Sequence, residues 1–208
     1  MRARLACLCT VFSCGLLFSA IAVPSQAAAP SVQELVTKLS DKDLQTRLDA
    51  AQTLQALGPG AAPALKSLTG LLTGDSTMLR WAAIDALGAI GGAAQSAVPA
   101  LRPLLEDSSA DIRRATISAL AAIGHDDKIG AELTVALEDK DWLVQKAAVD
   151  AFIRLKRTDS AAIPPLVSAL QRSEAPMRIA AAQALGQYGP AAGTAVSPLI
   201  QSLRDGNP

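Results

Sequence analysis

The chain is poor in the residues that catalysis and metal chemistry use. Its 208 residues include one histidine, three cysteines and six aromatic side chains. Cys7, Cys9 and Cys14 all fall in the first fourteen positions, so the rest of the chain has no thiol to form a disulfide, hold a metal or attack a substrate. His125 stands beside Asp126 and Asp127. That trio is a candidate cation site, but a lone imidazole with two neighbouring acids falls short of a metal centre and also reads as a solvated loop. His125 is the only imidazole base available to a nucleophile, no nucleophile elbow is present, and no phosphate-cradling glycine loop precedes a helix. The expectation is a non-enzyme with no catalytic residue, no metal and no cofactor.

Charge of one sign is lacking too. Lysine and arginine total 19 and so do aspartate and glutamate, which leaves no basic excess for a nucleic-acid partner. After residue 27 there is no long apolar run, so nothing further along is expected to span a membrane.

The first 27 residues differ from the remainder: Arg2 and Arg4, an apolar stretch from Leu5 to Val23, then Pro24 and small residues. This is the composition of a secretory signal peptide, with cleavage expected after Ala27 or, second, Ala28. A retained membrane anchor is the alternative, disfavoured by Pro24 and the small residues that follow. A lipoprotein reading of Val11-Phe12-Ser13-Cys14 would make Cys14 the lipidated first residue. Phe12 fits that motif poorly, and the apolar run continues past Cys14. The expected product is an exported protein, periplasmic or secreted, with 17 basic and 19 acidic residues once Arg2 and Arg4 are removed. Its alanine richness hints at a GC-rich bacterial genome.

What is abundant is repetition. Arg47, Arg80, Arg113, Gln145 and Arg178 recur at intervals of 33, 33, 32 and 33, each followed eleven residues later by Gly58, Gly91, Gly124, Lys156 or Gly189. A period near 33 marks a solenoid. Each unit opens with leucines four apart, Leu35/Leu39, Leu68/Leu72, Leu101/Leu105, Leu133/Leu137, Leu166/Leu170 and Leu199/Leu203, which stack on one face of a short helix. A polar turn follows, ending in a cap residue: Asp43, Ser76, Ser109, Asp141 or the weaker Glu174. A second helix then carries apolar residues at 3.6-residue spacing, for example Ala83, Ile84, Leu87 and Ile90. Leu57 and Leu155 are expected at the buried end of theirs. Glycine stops four of these five helices. No unit could bury its apolar face alone, so each needs its neighbours. The expected architecture is all-α: an α-solenoid of about five and a half two-helix units, approximately 31–61, 62–94, 95–127, 128–160, 161–193 and a half unit 194–208.

Ankyrin and tetratricopeptide units share the period, but their signature residues are missing. The phrases Val98-Pro99-Ala100-Leu101, Glu106-Asp107, Ile112-Arg113-Arg114-Ala115 and Ala119-Leu120-Ala121-Ala122-Ile123-Gly124 instead resemble HEAT repeats, specifically the short bacterial form named after phycobilisome-lyase subunits. The resemblance covers residues 31 to 204. It implies a right-handed superhelix whose second helices face the concave side. It also implies a ladder between units in which Asp41, Asp107 and Asp139 pair with Arg47, Arg80, Arg113 and Arg178, weakening toward the C-terminus where Gln145 replaces an arginine. An anion-binding row is the competing reading of these arginines.

With catalysis set aside, surface remains. Positions one, five and eight after the ladder residue lie opposite the apolar centre of each second helix. The first row is Leu48, Trp81, Arg114, Lys146 and Ile179; the second includes Asp85, Ser118 and Asp150; the third is Gln55, Gly88, Ala121, Ile153 and Gly186. Five layers at about 9 Å give a groove on the order of 40 Å, suited to a peptide or a partner's helix. The candidate partner-binding residues are Leu48, Trp81, Asp85, Arg114, Lys146, Asp150 and Ile179. Trp81 reads either as an interface hot spot or as a cover over neighbouring alanines, and the sequence leaves both open. Trp142 reads as a structural plug in its turn. The expected function is an exported scaffold for a protein or peptide partner; the alternative is an accessory or lyase-like subunit whose active site a partner completes. Lyase activity by this chain alone sits badly with export.

Overall fold

The computed structural model describes residues 30–124, 128–156, 159–171 and 174–202. The leader with Cys14, the trio His125, Asp126 and Asp127, and the final residues from Leu203 lie outside them. Eleven α-helices are described: α1 (Val32–Lys38), α2 (Leu44–Leu57), α3 (Leu65–Leu71), α4 (Thr77–Ile90), α5 (Val98–Leu101), α6 (Ala110–Ile123), α7 (Ile129–Ala136), α8 (Trp142–Leu155), α9 (Ile163–Ala169), α10 (Ala175–Tyr188) and α11 (Val196–Ser202). No strand occurs among the described residues.

The even-numbered helices α2 to α10 are the second helices, each 14 residues long, with starts that keep the period of the sequence. They pack on one another in chain order, and each packs against the first helix of its own hairpin. Two layers result, with one continuous apolar core between them. The chain is an α-solenoid.

Local chemistry fixes the helix ends. Asp43, Ser76 and Asp141 each accept a backbone N–H in the first turn, from Thr46, Leu79 and Leu143, which satisfies one of the donors a helix start leaves open. Ser109 and Glu174 occupy the same position without a side-chain cap bond. At the other end Gly58, Gly91, Gly124 and Gly189 take φ between 52° and 70° with strongly negative ψ, a region closed to side chains with a Cβ. Lys156 adopts instead the left-handed helical conformation, φ 50° and ψ 38°.

The first-helix layer departs from expectation. Four of its helices are entered through 3-10 turns, at Gly58–Ala64, Gly91–Ala97, Ser160–Ala162 and Gly189–Ala195. In the third unit α5 is a single turn, and the chain continues as a 3-10 segment, Arg102–Glu106. Pro103 has no N–H to offer the carbonyl of Pro99, so the α-helical ladder breaks there. At three residues per turn, leucines four apart no longer eclipse. Leu105 is consequently only half-buried while Leu101 is fully buried. Leu57 also differs: no described unit stacks before its own, and it is 43% exposed. Leu155 is partly buried.

Two rungs of the expected ladder are present. Arg80 Nη2 donates to Asp107 Oδ2 at 3.3 Å, and Arg113 donates to both oxygens of Asp139 at 2.8 Å. Each arginine therefore reaches forward to the turn of the next unit. It also reaches back, Arg80 Nη1 to the Gly74 carbonyl and Arg113 Nη1 to the carbonyls of Asp107 and Ser108. The first rung is missing, a correction to the expected N-terminal strength. Gly74 stands in the register of Asp107, so no carboxylate meets Arg47, and its Nε is buried without a partner. Asp41 caps its own turn, accepting from Asp43 N. Gln145 keeps only the backward bond, to the Asp139 carbonyl.

Candidate functional site

Because the second helices stack side by side, the outer faces of α4, α6 and α8 form one wall. A groove of about 520 Å³ runs across them. Trp81 and Asp85, one helical turn apart, stand on α4; Arg114 and Ser118 come from α6; Lys146 and Asp150 come from α8. Five of the seven candidate residues are thus brought to a single surface. Ala115, Ala147 and Ala151 also line it, small enough to leave its floor open.

Trp81 is 38% exposed and stands between this groove and a second hollow of about 360 Å³. The second hollow is more apolar, lined by Leu48, Thr77, Met78 and Ile112 among others. Leu48 does not project outward as expected. It is 7% exposed and lines this hollow, because its edge of α2 is the one against which α4 packs. Ile179, on α10, is exposed but lines neither hollow. Trp142, read from the sequence as a plug in its turn, is 37% exposed at the start of α8.

The third row is corrected at two of its five places and kept at another: Ala121 is buried, although it still lines the groove, and Gly88 faces α6 so closely that a Cβ there would lie 3.0 Å from the Ala119 Cα, whereas Gly186 is exposed. The residues missed are Met78, Leu143 and Arg154. Leu143 and Arg154 line the main groove, and Met78 lines the second hollow. Met78 and Leu143 sit two positions before the ladder residue, and Arg154 nine after Gln145. At 100° per residue these positions extend the outward arc, whose centre lies about 40° from the expected one. The signal was present, since Met78 and Leu143 are apolar residues outside the buried stripe.

The charges in the groove are largely paired within their own helices. Arg114 Nη2 lies 3.1 Å from Asp111 Oδ1, and Lys146 Nζ lies 2.7 Å from Asp150 Oδ2. Asp85 and Arg154 are the exceptions, and of the two Asp85 is the half-buried one. For Asp85 the environment is unfavourable. Burial pushes its carboxyl above the usual carboxylate range, with the positive charge of Arg114 pulling less strongly the other way. A wider hollow of about 890 Å³ lies on the turn side, but its less exposed charges are engaged in ion pairs: Arg113 holds Asp139 and Arg102 holds Glu132 at 2.7 Å. Among the described residues no three His, Cys, Asp or Glu side chains come together as a metal site would need, and no helix is long and apolar enough to cross a membrane.

Comparison with known proteins places this geometry. No curated protein matches the sequence. Among solved structures, the complex of CpcE and CpcF of phycocyanin lyase from Nostoc sp. PCC7120 is similar at 21% identity, with TM-score 0.68, over 86% of this chain and 73% of that one. A designed armadillo repeat protein in complex with the peptide (KR)4 is similar at 20% identity, with TM-score 0.67, over 86% of this chain and 94% of that one. An engineered protein reaches 25% identity and TM-score 0.61 over 84% of this chain and 85% of its own. The sequence itself matches HEAT repeats over residues 65–131 and 130–208. With that match spanning most of the solenoid, the chain belongs to the HEAT-repeat family.

Proposed function

We propose that this chain is an exported, non-catalytic scaffold that holds an extended segment of a protein partner, a peptide or a helix, across α4, α6 and α8. The observation that carries this reading is the groove itself. Three successive helices present one open wall with an exposed indole, small residues on its floor and polar groups along its length. Partly exposed aromatic anchors beside polar rims are where binding energy concentrates in protein interfaces. The designed armadillo protein, of like fold, is in complex with a peptide. Export rests on the composition of residues 1–27; mass measurement of the protein recovered from the producing cell should give a chain beginning at Ala28.

Replacing Trp81 with Ala tests the groove. The variant should keep its helical circular dichroism and most of its thermal stability while losing partner capture by tenfold or more, as hot-spot truncations do. Unchanged capture together with a collapsed melting temperature would assign Trp81 to the core and remove the groove from consideration. A second reading, a subunit of an enzyme completed by a partner, is favoured by the likeness to the phycocyanin lyase complex. It predicts turnover only when a partner subunit is added.

A further inference from the structure

Five ionised side chains line the main groove: Asp85, Arg114, Lys146, Asp150 and Arg154. Three of them are already paired, Arg114 with Asp111 and Lys146 with Asp150. Asp85 and Arg154 are left. Arg154 is exposed in the last turn of α8, where water solvates it and the helix end is negative. Asp85 is in a different position. It is half-buried and makes no hydrogen bond with any described residue. The upward push on its carboxyl indicates that Arg114 does not compensate for the water it has lost. A desolvated carboxylate without a donor is destabilised, and it gains when a donor arrives.

Asp85 also stands four residues after Trp81, so indole and carboxylate are neighbours on one face of α4 and flank the same space. That pair attracts one class of group. A cation is drawn to the indole face and forms an ion pair with the carboxylate. An acidic side chain would meet Asp85 as a like charge. A purely apolar one would cover Trp81 but leave Asp85 buried deeper and unpaired. We infer that Trp81 and Asp85 together receive one cationic side chain, lysine or arginine, from the polypeptide that occupies the groove. Arg154, two helix layers away at about 18–20 Å, then faces the other end of that segment and favours an acidic residue there. The bound chain therefore runs with its base over α4 and its acid over α8. This inference rests on the groove being a polypeptide site and adds its charge selectivity and polarity.

The test uses the full mature chain with Trp142→Phe, which leaves Trp81 as the sole tryptophan of the two in the sequence. Its emission is titrated with a panel of synthetic amphipathic peptides that differ only at one guest position, Lys, Gln or Glu, one turn from an apolar anchor. The Lys peptides should bind about tenfold tighter than their Glu counterparts, and Asp85→Asn should abolish that preference while leaving the Gln peptides unchanged. Asp85→Glu, which keeps the charge, should retain it. Equal affinity for Lys, Gln and Glu, or a preference that survives Asp85→Asn, overturns the cation receptor and leaves the groove standing. Failure of every peptide to alter Trp81 emission overturns both.

Discussion

Arg113 grips Asp139 with two hydrogen bonds of 2.8 Å, Nε to one carboxylate oxygen and Nη2 to the other, while its Nη1 holds the carbonyls of Asp107 and Ser108 in its own turn. One side chain thereby fastens two consecutive repeats. Asp139 completes the joint, because its Oδ1 also accepts from Asp141 N and shapes the turn before α8.

Both members of this pair are nearly buried, so removing one leaves the other charge without compensation. Arg113→Ala should lower the unfolding free energy by about 3–5 kcal/mol. Arg113→Gln should cost less. Gln145 shows that an amide at this register still bonds the carbonyl of its own turn, in its case Asp139. Urea titrations of the two variants check the order, and equal losses would mean that the backward bond contributes nothing.

Acid should weaken the same joint. The Arg113 guanidinium holds the Asp139 carboxyl below the usual carboxylate range, the Asp141 N–H adds to this, and burial opposes it. A carboxylate whose folded-state pKa is depressed contributes stability that is fully present above its unfolded value and is lost as pH falls through the folded one. The urea midpoint should therefore drop on acidification from about pH 5 downward. Asp139→Asn should start lower at neutral pH and fall less steeply. Parallel curves for the two proteins would contradict the assignment. Asp85 has the opposite sign, since its folded-state carboxyl is raised and gains protons as acid is added.

The sequence carried the stack but not its facing. Period, caps and stop residues are local properties, so they could be read from Asp43, Ser76, Gly91 and their counterparts without knowing what packs on what. The outward arc depends on the neighbouring helix. Leu48 and Ala121 are covered because a second helix lies against their edge, whereas Met78 and Leu143 stay open on the other side. Pro103 hid a break that moved Leu105 out of register, and Gly74 cancelled a rung that Arg47 alone appeared to promise. Asp85 could be named from the wheel, but its lack of a donor depends on the pairings Arg114 and Lys146 make along their own helices, and these appear only in three dimensions.

Lys156 is the one non-glycine residue with positive φ among those described, at the register where four glycines close the other second helices. A side chain in the left-handed region costs about 1–2 kcal/mol. Lys156→Gly should relieve part of that, offset by the greater freedom of glycine in the unfolded chain. A rise in melting temperature of a few degrees is expected; a fall would mean that the lysine side chain makes contacts that outweigh its backbone strain.

Gly88 and Gly186 occupy the same position in their respective repeats, eight residues after Arg80 and Arg178, yet the same substitution should act on them with opposite signs. A Cβ added at Gly88 would lie 3.0 Å from the Ala119 Cα and 3.2 Å from its Cβ, whereas one at Gly186 would meet nothing within 4 Å. The obstacle at Gly88 includes backbone, so α4 and α6 must separate rather than a side chain swing away. Overpacking of this kind costs about 1–3 kcal/mol, more than the roughly 0.8–1.0 kcal/mol that alanine gains over glycine inside a helix. Gly88→Ala should therefore destabilise the protein, and Gly186→Ala should stabilise it by up to about 1 kcal/mol. Adding Ala119→Gly to Gly88→Ala removes one of the two close contacts but not the Cα, so the double variant should recover only part of the loss. Thermal melts of the four proteins decide the matter, and stabilisation by Gly88→Ala would show that the α4–α6 contact is looser than the 3.0 Å approach implies.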